Sequence, residues 1–124
     1  MGGMFMAKKN VITQISVEQE DYSFNEACLR GRISGQPSEK VLPSGDKIVE
    51  FRLVIAREGE RADSRSGVDT LDIAAWSYRL RKRALSLKDS DWVQIDGPVH
   101  RRFWQGAHGV ASRWQIEAFE ITRL

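Results

Sequence analysis

Period-two alternation is the dominant pattern in this chain. From Ile48 to Arg57, Val49, Phe51, Leu53 and Ile55 fall on one side and Glu50, Arg52 and Val54 on the other, as in a strand with one face in a core. Thr70 to Trp76 repeats the pattern, setting Leu71, Ile73 and Ala75 against Asp72, Ala74 and Trp76. Trp92 to Gly97 points Val93 and Ile95 inward, Pro98 to Trp104 continues it as an extended arm, and Arg113 to Thr122 supplies the last strand. An earlier, weaker strand covers Ala27 to Ile33, where Gly31 marks a bend or the close approach of another backbone. Only between Trp76 and Trp92 does the period change. Leu80, Ala84 and Leu87 recur near helical spacing behind Ser77, a good capping residue, which predicts a helix over Tyr78 to Lys88.

Turn chemistry separates these elements. Gln36-Pro37-Ser38 and Pro43-Ser44-Gly45-Asp46 bracket a loop, Gly59 to Asp69 is a polar, aperiodic connection, and Gln105 to Ala111 is a second glycine-containing loop. The resulting order is three strands, one helix and two strands. It predicts an all-β domain with the element order of a five-stranded OB-fold, a Greek-key barrel with one helix between strands 3 and 4, and leaves small barrels of other topology open. Residues 25–124 form this domain. Residues 1–24 precede it as an extension in which Val11, Thr13, Ile15 and Val17 share one side, as in an extra strand or an arm that pairs with a partner.

At 124 residues the chain suits one domain, large enough to bury roughly two thirds of its unfolded surface. One cysteine, Cys28, leaves no intramolecular disulfide or cysteine-based metal cluster, and no apolar run approaches a membrane span. The expectation is a cytoplasmic protein without membrane association. His100 and His108 have no nearby ligands at metal spacing, the acids are dispersed, and no phosphate-binding G-x-x-x-x-G-K-[ST] loop or nucleophile constellation is present. Neither cofactor nor catalysis is predicted.

The net charge of +2 says little, but its distribution says more. Lys8 and Lys9 are outnumbered by Glu18, Glu20 and Asp21 in the first 25 residues, so the positive surplus lies in the barrel. Arg79, Arg81, Lys82, Arg83 and Lys88 form a run without acids, which fits either a solvated helix face or a phosphate-binding one. The segment from His100 to Arg113 holds three Arg, two His and no carboxylate. Trp76 shares its side with Asp72 rather than with the apolar residues, and Trp104 follows Arg101 and Arg102. Both are candidate stacking surfaces. Trp92 and Trp114 are assigned to completing the barrel or to a subunit contact.

Local spacing then becomes specific. Asn25, Gly31 and Pro37 at six-residue intervals, Pro43-Ser44-Gly45, Phe51-Arg52-Leu53, the strand ending at Gly97 and Trp104 seven residues on resemble bacterial single-stranded DNA-binding proteins. The resemblance runs over about residues 25 to 123. It implies an OB-fold that binds single-stranded DNA without sequence preference, in replication, recombination or repair, as a homo-oligomer (dimer or tetramer). Trp76 and Trp104 stand where that family stacks bases, and the candidate phosphate contacts are Arg52, Arg57, Arg102, Arg79 and Lys88. Departures are visible as well. Thr70 stands where the family often has a stacking Trp, and so does the Gly59 region. The sequence stops at Leu124 without the family's glycine-rich linker and acidic tip, so tail-mediated recruitment of other proteins is not expected. Two alternatives remain at this point: a tailless primosomal replication-type OB protein, and an OB protein-interaction module that binds no DNA.

Overall fold

The computed structural model describes residues 19–58 and 67–124. The alternating stretch at residues 11–17 and most of the Gly59–Asp69 connection lie outside them. Seven strands and one helix follow in chain order: β1 (Ala27–Val41), β2 (Lys47–Ala56), β3 (Val68–Ala75), α1 (Tyr78–Leu85), β4 (Trp92–Gly97), β5 (Val99–Gly106), β6 (Gly109–Glu117) and β7 (Glu120–Arg123). They form one sheet in the order β5-β6-β3-β2-β1-β4-β7. All pairings are antiparallel except β3 with β6.

The expectation is five strands for residues 25–124, and the described residues of that range form seven. Two long strands are each divided. Pro98 has no N–H to offer a ladder and separates β4 from β5. Ala118 and Phe119 separate β6 from β7, where the chain changes partner: β6 lies on β3 and β5, β7 on β4. Because β6 and β7 lie on one continuous segment, these pairings close the sheet into a barrel. The seam is held by Ala118 N–H to the Ala74 carbonyl at 2.8 Å, Phe119 N–H to the Asp96 carbonyl at 2.7 Å and Glu117 N–H to the Pro98 carbonyl at 2.9 Å. Gly97 lies against it so closely that a Cβ there would collide with the Glu117 carbonyl.

β1 also differs from expectation. It continues to Val41 through Gln36-Pro37-Ser38, with its register against β2 shifting between Ser34 and Ser38. A β-bulge tolerates a proline because its residues leave the ladder. Asp89 accepts a hydrogen bond from the Gly35 N–H at 2.7 Å, and the Gln36 amide donates to the Leu87 carbonyl at 3.1 Å, tying the bulge to the end of the helical segment. Pro43-Ser44-Gly45 does make the turn into β2, with Gly45 at φ +94° donating to the Leu42 carbonyl. Gly31 is a close-approach position, its α-carbon facing the Val54 carbonyl with no room for a side chain.

The inward faces of the alternating strands make the core. Val49, Phe51, Leu53, Ile73, Val93 and Ile95 are buried with Ile33, Ile116 and Ile121, each contributing about 1.5–3 kcal/mol of apolar burial. Helix α1 closes the barrel with Leu80 and Ala84, and Leu87 follows it into the core. Ser77 caps α1, its hydroxyl accepting from the Leu80 N–H at 3.2 Å. The helix ends at Leu85, three residues before the expected Lys88. Among the described residues no helix is long and apolar enough to cross a membrane.

Candidate nucleic-acid interface

Strand register decides which side chains share the outer face. Arg52 of β2 is opposite Asp72 of β3, and Arg102 of β5 is opposite Arg113 of β6. Trp76 follows β3 and is half-buried; Trp104 lies on β5 and is 38% exposed. Three open concavities with shared walls cross this face. One of about 220 Å³ lies between Trp76, His100, Arg101, Arg102, Gln115 and Glu117. A second, about 370 Å³, runs from Arg102 past Trp104 and Arg113 to Lys40, and a third, about 340 Å³, extends from Arg113 to Arg52 and the β1 bulge. Gln115 lines all three, so the face is a continuous shallow groove. Asn25 fixes the start of β5: its side chain accepts from the Val99 N–H at 2.9 Å and donates to the Val99 carbonyl at 2.8 Å.

Glu50 is the electrostatic centre of the groove. Its carboxylate meets Lys40 Nζ at 2.8 Å and Arg102 Nη1 at 2.8 Å, and accepts from Gln115 Nε2 at 2.8 Å. Burial opposes its ionisation most, yet hydrogen bonds from Lys40 and Gln115, with the charges of Lys40 and Arg102, outweigh burial and hold the carboxyl below its ordinary range. Arg102 also lies over the Trp104 ring, 5.6 Å from its centroid, within cation–π range. Asp72 pairs with both Arg52 (3.7 Å) and Arg113 (3.5 Å).

The fold thus brings together Trp76, Trp104, Arg102 and Arg52. Arg57 lies at the far end of β2, bound to Asp69 at 3.0 Å. Arg79 pairs with Glu120 of β7 at 3.7 Å, and Lys88 follows α1; neither lines the groove. Lys40, Glu50, Arg113 and Gln115 were not singled out as site residues from the sequence. Glu50, Arg113 and Gln115 do alternate outward on their strands, and that is the signal that could have found them. Trp92 and Trp114, assigned to the barrel or a subunit contact, are 56% and 58% exposed and not part of the core. Among the described residues no group of three or more His, Cys, Asp or Glu could hold a metal ion.

A closed barrel with a capping helix, crossed by a groove of cationic and aromatic side chains, has the architecture of an OB-fold. The model of the single-strand binding protein family matches residues 24–124, and the chain belongs to that family. Among solved structures, it is similar in fold to Plasmodium falciparum SSB in complex with single-stranded DNA, with a TM-score of 0.68 and 20% identity over 86% of this chain and 99% of that one. No curated protein matches.

Proposed function

We propose that this protein binds single-stranded DNA without sequence preference, as a non-enzymatic, cytoplasmic homo-oligomer serving DNA replication, recombination or repair. The observation that carries this reading is Arg102. It lines the cavities of both tryptophans and lies over the ring of one of them, so a strand laid over Trp76 and Trp104 passes a cation between its two stacked bases. Family membership and the DNA-bound structural neighbour support the same reading. Base stacking is indifferent to sequence because every base has a π-face. Arg52, Arg102 and Arg113 are the proposed phosphate contacts, with Lys40 at the groove's end; Arg57, Arg79 and Lys88 are proposed to act only at longer range.

Anisotropy of a labelled oligo-thymidine tests this directly. Trp76→Ala and Trp104→Ala are each expected to weaken binding by about 1–3 kcal/mol, with oligo-thymidine and a mixed sequence bound alike by the parent. A parent protein that leaves the anisotropy unchanged at low salt overturns the reading and leaves a protein-interaction module. Light scattering on the same sample tests the oligomer.

A further inference from the structure

The β5–β6 hairpin has a second face, and nothing in the groove accounts for it. Alternation that sends Arg102 and Trp104 to the groove sends Arg101 and Phe103 to the opposite side, where Trp114 is opposite Arg101 across the ladder. Phe103 is 62% and Trp114 58% exposed. Arg101 lies between them, its guanidinium 5.8 Å from the Phe103 centroid and 5.2 Å from that of Trp114. Ser112 holds it there, its hydroxyl accepting from Nε at 3.1 Å and Nη2 at 2.9 Å. The groove arginines Arg52, Arg102 and Arg113 each face a carboxylate, whereas Arg101 has no carboxylate partner among the described residues. Beside Trp114, β3 and β6 diverge to leave a notch of about 250 Å³ floored by Leu71, Val99 and Ile116.

We propose that this back face is a second binding track for single-stranded DNA, with Trp114 and Phe103 stacking bases and Arg101 meeting a phosphate. The occupant follows from charge and shape together. An unpaired cation fixed between two exposed rings suits a polyanion that carries flat apolar bases, whereas a second copy of the chain would have to bring a carboxylate to Arg101. Among the described residues β5 pairs only with β6, and along its other edge a strand can leave Trp104 and reach Phe103, the adjacent residue. The proposal rests on DNA binding at the front groove and extends it to a longer footprint.

The test is anisotropy with labelled oligo-thymidines of increasing length, using the full chain. For the parent, affinity should rise with length in two stages as the front and then the back face fill. Trp114→Ala and Phe103→Ala should bind the shortest competent oligonucleotides like the parent but lose roughly tenfold or more on long ones, and Trp114→Phe should restore most of the loss. Trp104→Ala should weaken binding at every length. If both back-face variants match the parent at all lengths while Trp104→Ala does not, the back face is overturned and the groove stands. If they lower the light-scattering mass and leave affinity per subunit unchanged, the face is a subunit contact and the proposal fails. No binding by the parent at any length removes both readings.

Discussion

Glu50 is the residue on which the groove turns, because it is an acid set among the cations that a phosphate would need. Its carboxylate orients Arg102 and Lys40 at 2.8 Å each, and an incoming phosphate must compete with it. Glu50→Gln keeps the shape and leaves both cations unpaired, so DNA affinity should rise, by about 1 kcal/mol or roughly fivefold; Arg102→Ala should lower it by about 1–2 kcal/mol, having lost both a charge-assisted contact and the cation–π partner of Trp104. Anisotropy at low salt reads both. The same carboxylate ties stability to pH. Its folded pKa lies below the unfolded value, so its contribution is fully present above about pH 4.3 and is lost as pH falls through the folded pKa. Melting curves from pH 7 to pH 3 should therefore show the parent losing stability relative to Glu50→Gln in acid, and a constant gap would refute the assignment. Alternation alone shows Glu50, Arg52 and Trp76 facing outward. Which cation meets which acid depends on cross-strand register, and the contacts of Glu50 with Arg102 and Gln115 span 52 and 65 residues of chain, so they cannot be read locally.

At the scale of elements, the half-buried strands were legible because one side of each faces a core: β2 begins one residue before its expected start and β4 matches its expected bounds. β1 runs past its expected end at Ile33 because bulges and turns use the same residues. Gln36-Pro37-Ser38 looks like a loop, but its proline lies at a register shift within a strand. The interruptions at Pro98 and Ala118-Phe119 escaped for another reason: the chain remains extended through both, and only its partners change. Gly97 shows what the closed seam demands. A methyl group there meets the Glu117 carbonyl, which is itself part of the strand leading into the partner change. Gly97→Ala should cost about 3 kcal/mol or more, against about 1 kcal/mol for Ser77→Ala, which removes only the cap of α1. Denaturant melts should rank the two in that order; equal losses would mean the seam yields more easily than its hydrogen bonds suggest.

For the whole molecule, net charge and salt dependence part company. A protein that places free cations on single strands loses about 0.7 in the logarithmic salt slope for each phosphate contact. The groove arginines are not free: Arg52 and Arg113 share Asp72, and Arg102 holds Glu50. When a phosphate displaces such a carboxylate, the carboxylate gathers a cation from solution and offsets the ion that the DNA releases. The groove should therefore give a slope shallower than its count of arginines implies, consistent with a chain whose formal charge is only +2. Arg101 has no such partner among the described residues, so Arg101→Ala should reduce the slope on long oligonucleotides by about 0.7, while Arg102→Ala reduces it less although it too weakens binding. Glu50→Gln should steepen it. The paired change of Arg79 and Lys88 to Ala should leave the slope nearly as it was, because Arg79 is committed to Glu120 on the side of α1 and Lys88 lines no part of the groove. Titrations at four or more salt concentrations measure all of these slopes. If the α1 pair changes the slope as much as Arg101 does, the DNA path runs across the helix, and the hairpin is not where the strand turns.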